Sequence, residues 1–191
     1  MTAPPPLRRG AETRSRLLSA ARELIIEVGW GAVSTRMVCS RAGVPTGSVH
    51  YHFASVDGLL RAASAEALAA VTAQARAGLG ADGIDEGIER LGELVALTAA
   101  DDGSRVLLGE VFLQATRDDA IRSDVALLLS ELRDDMVRWL ERQGRTEDAL
   151  ATATVLVAAL DALGMHRSLD PGMSLDGITA VLRRIARGAP E

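Results

Sequence analysis

The chain has 191 residues, 48% hydrophobic and 25% charged, a balance that excludes a disordered polypeptide and is enough to bury a sizeable core. The net charge of −5 argues by itself against a nucleic-acid partner, but residues 1–61 hold eight arginines against four acids and leave the remainder acidic, a basic end on an acidic body. The single cysteine, Cys39, cannot form an intramolecular disulfide, and the apolar charge-free run 149–160 is too short for a membrane span.

Almost every segment carries helical periodicity. Residues 12–28 predict a first helix with Leu17, Leu18, Ala21, Leu24, Ile25 and Val28 on one face. Arg8 and Arg9 precede it on a proline-containing tail that could reach a minor groove. A short second helix follows, capped by Ser34 through the N–H of Arg36 or Met37, with Met37, Val38 and Ala42 facing inward. Cys39 reads as a small packed residue of that helix. Gly43 ends it in the left-handed conformation that glycine adopts without steric cost. A third helix is predicted from Pro45 or Thr46, because proline suits a first helical turn. Val49 and Phe53, four apart, pack inward and leave Thr46, Gly47, Ser48, His50, Tyr51 and His52 outside. Two short helices joined at Gly43-Val44 are the pattern of a helix-turn-helix, which places its second helix in the DNA major groove.

The ordered series Gly29-Trp30, Ser34-Thr35, Ala42-Gly43-Val44, Gly47 and Tyr51-His52-Phe53 resembles the DNA-binding region of the tetracycline-repressor (TetR) family over residues 11–60. Three positions depart from that pattern: His50 stands where the family usually has tyrosine, Cys39 where it has alanine, and Val56 where a lysine commonly touches phosphate. Thr35, Arg36, Thr46, Gly47, Ser48, His50, Tyr51 and His52 are the candidate DNA-contacting residues. Arg36 matches a family position that reaches a base edge or the backbone, and arginine to guanine is the commonest specific contact. The hydroxyl and ring donors suit phosphate oxygens.

Beyond the head, helices are predicted at 55–78, opening on a Ser55 cap, and at about 84–100, 104–117, 119–143, 147–168 and 175–188. No segment alternates as a strand would. The expected fold is all-α with about nine helices: a three-helix DNA-binding head at 1–54 and a larger helical body for effector binding and dimerisation at 55–191.

Residues 149–160 are apolar nearly all round, and Leu175, Ile178, Leu182 and Ile185 form a seam on the last helix. Small residues Ala151, Ala153, Ala158 and Ala159 allow close approach. The resemblance implies a homodimer through these last two helices, about 147–168 and 175–188, presenting two recognition helices to palindromic operator DNA. It also implies a small-molecule effector in the body. Candidate lining residues are Leu108, Glu110, Phe112, Gln114, Leu132, Met136, Trp139 and Asp161, of which Glu110, Gln114 and Asp161 are the polar groups, and a hydrogen bond across the dimer seam is an equal reading of Asp161. Low aromatic content favours an aliphatic or small neutral effector over a flat polycyclic cation.

No phosphate-cradling glycine loop, nucleophile elbow or metal-spaced cluster is present, so neither enzyme, cofactor nor metal site is expected. The N-terminus does not read as a signal peptide, and a cytoplasmic location is expected. The rival reading is an all-helical interaction module without specific DNA binding.

Overall fold

A computed structural model describes residues 6–80, 82–170 and 172–188. Its described residues form nine α-helices, one 3-10 turn and no strand. The helices are α1 (Pro6–Val28), α2 (Thr35–Ala42), α3 (Ser48–Phe53), α4 (Val56–Gly78), α5 (Ile84–Ala100), α6 (Asp102–Ala115), α7 (Asp119–Arg142), α8 (Ala149–Leu169) and α9 (Asp176–Arg187), with the 3-10 turn at Trp30–Ala32. The all-α architecture matches the sequence periodicity.

Two compact units emerge. The first takes the described chain up to Ala67 together with Val106–Arg122; the second takes Leu68–Arg105 and the described chain from Ser123 onward. This division differs from a simple cut after residue 54, because two polar ties hold later residues to the head. Arg22 pairs with Glu66 at 2.6 Å, and the backbone N–H of Trp30 donates to Glu110 at 2.9 Å.

In the first unit, α1 packs on α2 and α3. Leu17, Leu18, Ala21, Leu24 and Ile25 of α1 are buried along with Val38, Cys39, Val49, Leu59 and Leu60. Each fully buried aliphatic side chain contributes about 1.5–3 kcal/mol. Val28 departs from the predicted face and stays 43% exposed. It is the last residue of α1, where the chain turns through Gly29 at φ 78°. The helix also begins earlier than predicted, at Pro6 rather than residue 12. Proline's fixed φ suits a first helical position, so Arg9 is an exposed residue of α1 and not part of a tail. The side chain of Arg8 lies outside the described residues.

The second unit has its own core. Ala75 and Leu79 of α4, Ile88 and Leu91 of α5, Leu132, Met136, Trp139 and Leu140 of α7, Ala153, Leu156 and Val157 of α8, and Leu182 and Ala186 of α9 are all buried. Gly87 lets α5 lie directly against the indole of Trp139, which occupies the space a β-carbon would fill. Arg142 donates to the carbonyl of Leu79 at 3.0 Å, satisfying an acceptor beyond the end of α4. Ile178 and Ile185 pack on the same core. Of the predicted seam Leu175, Ile178, Leu182 and Ile185, the last three therefore face their own body, packed on the core that α5, α7 and α8 build.

Helix α8 is long and apolar enough, by length and composition, to cross a bilayer. Thr152, Ala153, Leu156 and Val157 are nevertheless buried within the second unit, as befits a core helix whose other side is uncovered.

Candidate nucleic-acid interface

The geometry of the interface starts at Ser34, whose Oγ accepts from the N–H of Met37 at 3.4 Å and caps α2. At the other end Gly43 adopts φ 61°, ψ 44°, and the N–H of Val44 returns to the carbonyl of Cys39 at 3.0 Å. This left-handed closure is the one that residue type predicts. Arg16 of α1 donates to the carbonyl of Gly43 at 2.8 Å and so clamps the turn from outside. Cys39 is buried with its Sγ 3.6 Å from the carbonyl of Thr46, a packed residue inside the motif.

Helix α3 starts at Ser48, later than the predicted Pro45 or Thr46. The N–H of Ser48 reaches the carbonyl of Pro45 at 2.9 Å, so Pro45–Ser48 is a turn that leads into the helix. Pro45 suits that turn for the same reason it suits a helix start, its fixed φ. Val49 is fully buried and Phe53 half-buried. The guanidinium of Arg14 lies 5.1 Å from the Phe53 ring centroid, a cation–π contact that covers the ring's outer face.

The outward surface is open. Thr46, Gly47 and His50 are exposed, Tyr51 is 85% exposed, and Ser48 and His52 are partly covered. Tyr51 and His52 meet edge to face at 4.8 Å. No carboxylate occurs between Pro45 and Ser55. On α2, Thr35 is partly covered and Arg36 is exposed without an ion-pair partner among the described residues. Arg41, Arg22 and Arg16 are not equivalent to it. Arg41 donates to Glu27 at 2.7 and 2.8 Å and to Glu23 at 3.2 Å. Those hydrogen bonds hold the Glu27 carboxyl below its ordinary range and raise the guanidinium of Arg41. Arg41, Arg22 and Arg16 thus brace the head, while Arg36 remains available to an anion.

This arrangement has relatives. The family description "Bacterial regulatory proteins, tetR family" matches residues 17–63, and "Tetracyclin repressor-like, C-terminal domain" matches residues 82–189. The chain belongs to the TetR family. It is 26% identical over 153 residues to the HTH-type transcriptional regulator UidR of Escherichia coli, covering 78% of this chain and 76% of that one. The structure of SCO7518 from Streptomyces coelicolor A3(2), assigned as a transcriptional regulator, is similar at a TM-score of 0.80 and 29% identity, covering 93% of this chain and 99% of that one. A regulator from Saccharomonospora viridis, solved with choline, shares the fold at a TM-score of 0.74 and 24% identity, covering 90% and 94%. TetR-family proteins and these relatives are transcriptional regulators, not enzymes.

Within this TetR-family chain the candidate effector residues fall in both units. Leu108, Glu110, Phe112 and Gln114 lie on α6 in the first. Leu108 and Gln114 are partly covered and Phe112 is 39% exposed. Glu110 already has a partner, the Trp30 N–H. In the second unit Leu132, Met136 and Trp139 come together in the core at 6%, 0% and 0% exposure, and the indole Nε1 of Trp139 has no hydrogen-bond partner among the described residues. Asp161 is different. Its residue is exposed in the single chain, yet neighbouring protein partly desolvates the carboxyl and pushes its pKa up to about 6. It has no hydrogen-bond or ion-pair partner among the described residues. No cluster of metal-ligating side chains occurs among the described residues either.

Sequence reasoning missed the supporting roles of Arg16 and Arg41. Arg16 and its acceptor are 27 residues apart, and no local pattern signals such a pairing. Val56, in place of the family's common lysine, is a partly covered residue opening α4, whose N-terminus is capped by Ser55 Oγ accepting from Gly58 at 3.0 Å.

Proposed function

We propose that the protein is a homodimeric repressor that binds a palindromic operator through α3 and leaves it when a small effector occupies the body. The observation that carries this reading is the outward surface of α3: exposed hydroxyl and ring donors with no carboxylate, set just after a left-handed turn that Arg16 clamps. Such a surface suits phosphate and base edges.

Dimerisation is supported by α8. Ala151, Val155, Ala158, Ala162, Met165 and Leu169 are all exposed and recur at spacings of four and three, the seam of a helix that pairs with another helix. Small residues at three of these positions allow close approach. A two-fold pairing presents two recognition helices to the two halves of a palindrome.

Effector chemistry is supported by Asp161. An exposed but partly desolvated carboxylate on an apolar helix, with no partner among the described residues, favours a ligand bearing a cationic group, the chemistry of the choline found in the S. viridis structure. That departs from the small neutral effector expected from composition.

The test is fluorescence anisotropy of the purified protein with DNA flanking its own gene, at two salt concentrations and against scrambled competitor. Binding that resists competitor and falls steeply with salt is expected, with a logarithmic slope of about −0.9 per phosphate contacted. Choline added to the complex then reports release, and Asp161→Asn removes the response. Absence of binding at low salt would sink the operator reading and favour the interaction module, which Val56 and the net acidity recommend.

A further inference from the structure

The junction after the recognition helix is built around an unusual residue. Ala54 has φ 64°, ψ −39°, and the N–H of Ser55 bonds to the carbonyl of Phe53 at 2.7 Å. This is a γ-turn centred on a residue with a β-carbon, a strained conformation that persists only where surrounding contacts hold it. One of those contacts is His50, whose Nδ1 lies 2.8 Å from the carbonyl of Ala54. A tyrosine at this position could not make it, because its only polar atom is at the far end of the ring.

The contact decides the polarity of the imidazole. A carbonyl oxygen can only accept, so Nδ1 carries the proton, and in the neutral ring Nε2 is then a lone-pair acceptor. His50 is exposed, and Nε2 has no partner among the described residues. We infer that His50 is a specificity-determining residue, whose Nε2 accepts a hydrogen bond from an exocyclic amine in the major groove, adenine N6 or cytosine N4. Guanine and thymine offer no amine donor on that edge. The other outward groups of α3 carry hydroxyls or a second imidazole able to donate, so the locked acceptor is the group that discriminates against them.

The inference rests on the operator reading, and its test separates the two. Duplexes with a fully randomised centre are selected with the parent protein at mildly alkaline pH. At each enriched adenine or cytosine the amine is then deleted, with nebularine for adenine and 2-pyrimidinone for cytosine, which also distinguishes the two sources. Deletion at one position is expected to weaken binding of the parent roughly three- to tenfold. His50→Asn keeps a donor for Ala54 but lacks the distal acceptor; it should retain the parent melting temperature and be indifferent to that deletion. His50→Gln restores a distal acceptor and with it the sensitivity. Equal losses for parent and His50→Asn at every position would overturn the inference while leaving operator binding intact. Failure to enrich any sequence would overturn both.

Discussion

The carboxylate of Glu110 on α6 accepts a hydrogen bond of 2.9 Å from the backbone N–H of Trp30, eighty residues earlier in the chain. That N–H opens the 3-10 turn after α1, directly behind the left-handed Gly29, where a helical start leaves donors without internal partners. Trp30 itself is 8% exposed, so its amide has little access to water. Glu110→Ala strands this donor and should cost about 1–3 kcal/mol of stability, read by urea denaturation. Glu110→Gln keeps an acceptor and should recover most of it. Equal midpoints for parent and alanine variant would show that the bond contributes nothing.

Arg36 separates base reading from phosphate binding. Arg36→Ala should weaken operator binding by about 1–3 kcal/mol and relax preference at one base pair. The same loss on every duplex, with a shallower salt slope, would assign it to phosphate instead.

Ala54 holds positive φ at the α3–α4 junction. For an L-residue that conformation costs roughly 1–3 kcal/mol, and glycine adopts positive φ freely. Ala54→Gly should therefore match or exceed the parent in melting temperature, whereas Ala54→Val should fall below it. A glycine variant markedly less stable than the parent would mean that the junction is not strained.

Gly87 and Trp139 test the second core. A β-carbon at Gly87 would collide with the indole of Trp139, and overpacking of this kind costs about 1–3 kcal/mol. Gly87→Ala combined with Trp139→Phe should destabilise by less than the two changes summed, since the smaller ring vacates the disputed space. Strict additivity in chemical denaturation would place the clash elsewhere.

Asp161 gives stability a pH dependence of definite sign. Its folded pKa, about 6, lies above the ordinary 3.8, so the folded chain holds its proton more tightly than the unfolded chain does. The resulting stabilisation is complete below about pH 3.8 and is lost as pH rises through about 6. Asp161→Asn removes that loss, and its advantage over the parent in melting temperature should grow from acidic pH to above pH 6. A difference that is constant with pH would show the carboxyl to be unperturbed. A cationic ligand at Asp161 should likewise bind more tightly as pH rises through the same range.

Residue types and spacing alone determined the local features of this protein: the nine helices among the described residues, the Ser34 cap, the left-handed Gly43, and the inward Val49 behind an outward face of donors. These depend on interactions within a few residues, which steric preference and helical period encode directly. The start of α3 was misplaced because Pro45 is equally suited to a turn and to a first helical residue, and only the reach of the Ser48 N–H back to Pro45 chooses between them. Tertiary structure alone decided the rest. Glu110, Arg16 and Arg41 find their partners across 80, 27 and 14–18 residues. The α9 seam of Ile178, Leu182 and Ile185 and the α8 seam of Ala151 to Leu169 look alike as periodicities, yet the first fills the protein's own core and the second stays open. Periodicity specifies that a helix has an apolar face; which neighbour covers that face depends on the packing of the whole chain.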